Sequence, residues 1–130
     1  MGTTVPFRSD ADLFIDEIAK KDPAFAAIKS LLPSSMDQDG LRIRCLFADL
    51  LEVLPPIKGI TLPEAVAILS ETDAQQEIRR FEEDLETNAL YENCREILER
   101  DEPDEVHTSL RSFAGMAARL YRASREKADT

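Results

Sequence analysis

The single histidine and the two cysteines of this 130-residue chain are the side chains that could form a nucleophilic site. A nucleophile needs a base within hydrogen-bonding reach and a third group that orients the base. Cys45 and Cys94 would both have to rely on His107, and no local motif connects His107 to either cysteine. The sequence therefore predicts no catalytic residues and no enzymatic activity.

Both cysteines stand among apolar residues at helical spacing, and no CxxC motif occurs. A disulfide framework requires more cysteines and an oxidising compartment. We expect Cys45 and Cys94 to be buried, unpaired thiols, with a structural disulfide as the alternative. The first residues lack the apolar segment of a signal peptide, and no stretch is apolar enough to span a membrane. These features together predict a cytoplasmic protein without a membrane partner.

Two short patterns resemble metal sites without completing one. Asp104 and His107 have the i, i+3 spacing of the carboxylate–histidine pair in di-iron bundles, but such bundles need that pair twice. Residues 35–40 resemble the start of a calcium loop, but Leu46 occupies the position of the bidentate glutamate. We therefore predict no metal and no cofactor, and interpret residues 37–40 as a turn.

The charge of the chain is concentrated in one segment. The net charge is −10, and residues 71–105 carry 14 acidic and four basic side chains. We interpret the acidic run at residues 82–86 as a solvated helix face. Most of the surface should repel phosphate backbones, so the pattern disfavours nucleic acid and favours a protein partner.

The last predicted helix, residues 105–125, carries arginines on one face. Arg111, Arg119, Arg122 and Arg125 fall together by helical spacing. They lie opposite an apolar seam that runs from Val106 to Leu120. Such a face is either solvated, paired with the acidic segment of the chain itself, or a docking surface for an acidic partner or a second copy of the chain. The four arginines are therefore the candidate partner-binding residues.

Apolar periodicity predicts an all-α fold, a compact bundle of six or seven helices. We expect a flexible tail at residues 1–8 and one helical domain at residues 9–127. The third helix, around Leu46 and Leu50, and the last helix should be central. The apolar stripe of residues 78–98 changes sides near Thr87–Asn88, so two helices, or one sharply kinked helix, are expected there.

One stretch resembles the helix-turn-helix of bacterial winged-helix regulators. It consists of residues 59–69 (GITLPEAVAIL), a short polar turn and residues 74–85 (AQQEIRRFEEDL). The resemblance allows a helix-turn-helix-like pair at residues 61–86 and implies a DNA-binding transcriptional regulator. The second helix carries more acids than bases, and no pair of alternating strands follows to form a wing.

Taken together, these patterns favour a non-catalytic protein–protein interaction or regulatory module. One alternative is the helix-turn-helix DNA-binding regulator, and a second is a small helical enzyme or ligand-binding bundle.

Overall fold

The computed structural model describes residues 10–33, 37–83, 88–99 and 105–128, and these ranges contain seven α-helices and no strand. The helices are α1 (Asp10–Lys21), α2 (Pro23–Lys29), α3 (Gln38–Val53), α4 (Leu62–Glu71), α5 (Ala74–Glu83), α6 (Asn88–Leu98) and α7 (Glu105–Ala128). The predicted all-α bundle is therefore confirmed. The predicted tail at residues 1–8, together with Ser35, Asp84, Glu86, Thr87 and Asp104 and the side chains of Glu82 and His107, lies outside the described residues.

Local sequence signals explain where the helices begin. The Asp22 carboxylate caps α2 by accepting from the backbone N–H of Ala24 at 3.2 Å, and a proline occupies the first turn. A capping box begins α4, because Thr61 and Glu64 each accept a hydrogen bond from the backbone N–H of the other. Asp37 caps α3, so Gly40 lies in the first helical turn and not in a preceding loop.

Helix α7 is the centre of the packing. It contacts α2, α3, α4, α5 and α6. Its predicted seam is buried at Val106, Leu110, Phe113, Ala117 and Leu120. The small residues Ala114, Gly115 and Ala118, which point away from this seam, are buried as well. Neighbouring helices therefore enclose the middle of α7 on more than one side.

Helix α3 supplies the other half of the core, as predicted. It packs against α1, α6 and α7. Its apolar stripe is buried, and the rings of Phe47 and Phe113 meet edge to face with centroids 6.0 Å apart. This aromatic contact joins α3 to α7.

The predicted division of the acidic segment is confirmed, since α5 ends at Glu83 and α6 begins at Asn88. Helices α4 and α5 follow one another across Thr72 and Asp73, as the helix-turn-helix resemblance predicts. Within the described residues, however, α4 packs against α2 and α7, whereas α5 packs against α6 and α7. The two helices do not pack against each other, so the resemblance is limited to their order along the chain.

Candidate functional site

The predicted arginine face is not one open surface. Arg122 is largely buried, and its guanidinium donates a hydrogen bond to the Glu77 carboxylate on α5. The Glu77 side chain is only 8% exposed, and Arg80 lies 3.9 Å from the same carboxylate. Arg122 therefore belongs to the contact between α5 and α7. It pairs with the acidic segment of the chain itself, which was one of the alternatives open from the sequence.

The other three candidate arginines are placed differently. Arg111 and Arg119 are half-buried on α7, and Arg125 is exposed near its C-terminal end. The four side chains share a helical face by spacing, but α5 covers part of that face at Arg122. The four arginines therefore do not form one continuous exposed surface, and their role in partner binding stays a prediction.

The two thiols lie in opposite environments, and the expectation of burial is wrong for Cys45. Both cysteines are free, but Cys45 is exposed, whereas Cys94 is fully buried. Helical spacing explains the difference, because Cys45 lies on the side of α3 opposite the buried stripe of Ile43, Phe47 and Leu50. Burial raises the pKa of the Cys94 thiol to about 12, which leaves it protonated and unreactive at neutral pH.

The outward face of α4 is the most unusual surface of the described residues. Leu62 is 46% exposed and Val66 is 51% exposed, although both are large apolar residues one helical turn apart. Pro63, Ala67 and Ser70 are exposed beside them and also carry no charge. We call these five residues the α4 face. It covers about half the circumference of the helix.

Few residues hold α4 to the rest of the molecule. Its buried residues are Ala65 and Leu69, and Ile68 is partly buried against the core. Val66 is also apolar, yet it lies on the outer side of the helix. The signal was present in the sequence, because apolar residues occupy more of this helix than one packed face requires.

The α3–α4 connector, residues 54–61, borders the α4 face. Buried side chains and hydrogen bonds hold it against the rest of the molecule. Its side chains Ile57 and Ile60 are buried. The backbone N–H of Ile57 donates a 2.8 Å hydrogen bond to the carboxylate of Asp22, which is itself only 6% exposed. The same carboxylate caps α2, so one buried aspartate joins the start of α2 to the connector.

Two side chains of α7 anchor the same connector. Tyr121 donates its hydroxyl proton to the carbonyl oxygen of Pro55, and Ser124 donates to the carbonyl oxygen of Lys58. Burial raises the pKa of the Tyr121 phenol above its usual value, with the negative charge of Asp22 as a further cause, so this donor stays protonated. Gly59 has a φ of +82°, a conformation that side-chain-bearing residues rarely adopt. The connector is therefore a fixed border of the α4 face.

The charges near the α4 face are separated along the helix axis. Lys21 and Lys58 line a shallow groove that also includes Leu62, at the N-terminal end of α4. Glu71 ends the helix, and Asp73 follows it and caps α5. The uncharged α4 face thus lies between a basic end and an acidic end.

One ion pair ties α4 to the end of α7. The Nζ atom of Lys127 lies 2.8 and 3.0 Å from the two carboxylate oxygens of Glu64. The hydrogen bond from Lys127, together with those from Thr61, lowers the pKa of Glu64 to about 2. At neutral pH the two side chains form a neutralised pair beside the α4 face.

Within the part of the chain that the structure describes, no cluster of three or more histidine, cysteine or acidic side chains could hold a metal ion. A cavity of about 140 Å³ beneath the connector is lined by residues that include Ile18, Phe25, Leu51 and Leu54. Small-molecule sites usually measure roughly 300–1,000 Å³. This cavity is smaller than that, whereas the open groove beside Lys21, Lys58 and Leu62 has a volume of about 690 Å³.

None of the helices within the described ranges has both the length and the apolar composition that a bilayer crossing requires. No protein-family model matches this chain, and neither a curated protein sequence nor a solved structure matches it.

Proposed function

We propose that the chain is a non-catalytic protein–protein interaction module that docks its partner on the α4 face. The observation that carries the proposal is the exposure of Leu62 and Val66 side by side on an otherwise uncharged helix face. Charged residues make up 32% of the chain, so an uncharged face of this length stands out. Contiguous exposed apolar surface of this kind marks interaction sites in soluble proteins.

The energetics support docking at this face. Covering each of the two side chains would contribute roughly 1–2 kcal/mol through removal of apolar surface from water. The other large exposed apolar side chains of the described residues are Leu13, Leu31 and Val53, which stand on or beside other helices. A single exposed apolar residue on a helix or at its end is ordinary on protein surfaces. Only α4, within the described ranges, exposes two such residues.

The rigidity of the connector also supports docking at the α4 face. Hydrogen bonds donated by Tyr121 and Ser124, and one accepted by Asp22, hold the connector beside the α4 face. A surface that is already ordered loses little conformational entropy when a partner binds. The α4 face and its border are therefore built for docking without rearrangement.

Site-specific photo-crosslinking tests the proposal. A benzophenone amino acid is placed at position 66 and, as the matched control, at position 31, where Leu31 is 50% exposed. In cells of the source organism we expect a discrete cross-linked species from position 66 and none from position 31. Leu62→Lys should remove that species while leaving the melting temperature unchanged. Equal cross-linking from both positions, or none from position 66, would contradict the proposal.

The DNA-binding alternative has one observation in its favour. The exposed side of α5 presents Gln75, Gln76 and Arg79, which are side-chain types that read base edges. The acidic residues Glu71 and Asp73 stand next to this side, and α4 does not support α5 as the first helix of a helix-turn-helix would. A fluorescence-anisotropy titration with duplex DNA at low salt tests the DNA-binding alternative. We expect no sequence-selective duplex binding tighter than about micromolar.

A further inference from the structure

We infer that the partner of the α4 face is a second copy of the chain, docked so that the two α4 helices run antiparallel about a twofold axis near Val66. This inference rests on the proposed function, because it names the occupant of the same face. It is carried by the distribution of charge around the α4 face.

The positions along α4 suit a twofold axis at its middle. Leu62 begins the helix, Val66 lies four residues further on, and Glu71 ends it. With a rise of about 1.5 Å per residue, Val66 is about 6 Å from the start and about 7.5 Å from the end. An axis there places Val66 against Val66 of the other copy. It also brings Leu62 opposite Ser70, a small residue that allows the two helices to approach closely.

The charges at the two ends select the antiparallel orientation. An antiparallel pair brings Lys21 and Lys58 of one copy towards Glu71 and Asp73 of the other, and this happens twice because of the symmetry. A parallel pair would bring like charges together at both ends. Exposed ion pairs contribute little to affinity, but they determine orientation and partner choice.

The net charge of the chain restricts where two copies can meet. Each copy carries −10, so contact through most of the surface would oppose like charges. The α4 face has no charge of its own, and the Glu64–Lys127 pair beside it is neutral as a unit. The face is therefore suited to self-association, and it does not offer the opposite charge that a basic partner would seek.

The contact is small, so the dimer should be weak. A single helix face and its border cover less than the roughly 800 Å² per partner of a standard stable interface. We expect a dissociation constant on the order of 10–100 μM. Sedimentation-velocity centrifugation over about 1 μM to 1 mM should show a concentration-dependent change from monomer to dimer.

Variants locate the contact. Val66→Lys places two like charges at the axis and should leave the protein monomeric throughout that range. The matched control Leu31→Lys, at a side chain of nearly equal exposure, should dimerise as the wild type does. A dimer that survives Val66→Lys would overturn the inference.

Charge reversal tests the orientation. Lys58→Glu and Glu71→Lys should each weaken self-association at least threefold, because each change sets like charges opposite one another twice. Mixing the two variants should restore association, since both contacts in the mixed dimer then join opposite charges. Weakening without recovery on mixing would overturn the antiparallel arrangement.

Failure of this inference is distinguishable from failure of the proposed function. A protein that stays monomeric at about 1 mM, yet is cross-linked from position 66 to a different protein in cells, overturns self-association and leaves the proposed function standing. Absence of both results overturns both proposals. A cross-link from position 66 to the chain itself, lost when Leu62→Lys is added, supports both.

Discussion

The exposure of side chains on helices α7 and α4 is the reverse of what the compositions of the two helices indicate. Helix α7 carries Arg111, Arg119, Arg122 and Arg125 along one face, yet α5 packs over part of that face and Arg122 is largely buried. Helix α4 is mostly apolar, yet Leu62 and Val66 face solvent. The comparison shows that the number of surrounding helices, and not the hydropathy of a helix, decides how much of it is covered.

The two ion pairs that α7 makes with these neighbours show the same contrast. The Arg122–Glu77 pair joins α7 to α5 and is largely removed from water. The Lys127–Glu64 pair joins α7 to α4, and both of its side chains are more than 40% exposed. The first pair should therefore matter for folding, whereas solvent screens the second.

The largest expected effect is on the free energy of unfolding. Truncation of a buried side chain of α7 should lower it far more than truncation of an exposed side chain of α4. Leu120 is fully buried, so Leu120→Ala should lower the free energy of unfolding by about 2–5 kcal/mol. Val66→Ala removes methyl groups that are half exposed and should change it by less than about 1 kcal/mol. Chemical denaturation of the two variants measures the difference. Equal losses would mean that α4 is as well covered as α7, and the comparison would fail.

Thiol reactivity gives the next largest effect and reports on packing beside α7. Helix α6 packs against α7 and holds Cys94, whose thiol has a raised pKa of about 12 and is fully buried. Cys45 is exposed on α3. Cys94 should therefore react with a thiol reagent on the order of a thousandfold more slowly than Cys45 in the native protein. Cys45→Ser should remove the fast phase, and two fast thiols in the native wild type would contradict the burial of Cys94.

Breaking the largely buried ion pair should have a smaller but clear effect. Arg122→Ala leaves the Glu77 carboxylate 8% exposed without its closest cation, so it should lower the free energy of unfolding by about 1–3 kcal/mol. Arg119→Ala, at a half-buried position of the same helix, is the control and should cost about 0.5 kcal/mol or less. A double-mutant cycle with Glu77→Ala isolates the coupling. An Arg122→Ala variant as stable as Arg119→Ala would return Arg122 to the set of candidate docking residues.

The exposed ion pair should have the smallest effect, and it should depend on pH. The pKa of Glu64 is lowered from 4.5 to about 2, so the charged form is favoured in the folded state. The resulting stabilisation is fully present above pH 4.5 and is lost as the pH falls from about 4.5 towards 2. An NMR titration of the Glu64 carboxyl carbon should give this low midpoint, and Lys127→Met should raise it. A midpoint unaffected by Lys127→Met would show that the capping box alone lowers the pKa.

Most of the helix boundaries could be predicted because local chemistry sets them. Asp22–Pro23, the Thr61–Glu64 capping box and the rotation of the apolar stripe before Asn88 all correspond to observed ends or starts of helices. Caps and prolines act within a few residues, so they can be read without knowledge of the fold. The candidate arginines were chosen from their spacing, and they remain a prediction, whereas the α4 face was recognised only from the exposure of Leu62 and Val66.

The environments of particular side chains could not be assigned in the same way. Cys45 was expected to be buried because its neighbours in sequence are apolar, yet it points away from the buried stripe of α3. For Arg122 the spacing left solvent, the acidic segment of the chain and a partner open, and the structure pairs it with Glu77. Each of these outcomes depends on which helix faces which, and that information is spread along the whole chain.

The sequence by itself determined the helical composition, the position of the helix ends and the buried seam from Val106 to Leu120, because periodicity and capping are local properties. Only the tertiary structure decided that α5 closes over Arg122 and that, among the described helices, α2 and α7 are the ones that pack against α4. The physical reason is that a helix of 10 residues such as α4 has more than one face able to pack. Which face becomes buried is determined by the neighbours that reach it, and in α4 this leaves Leu62 and Val66 exposed.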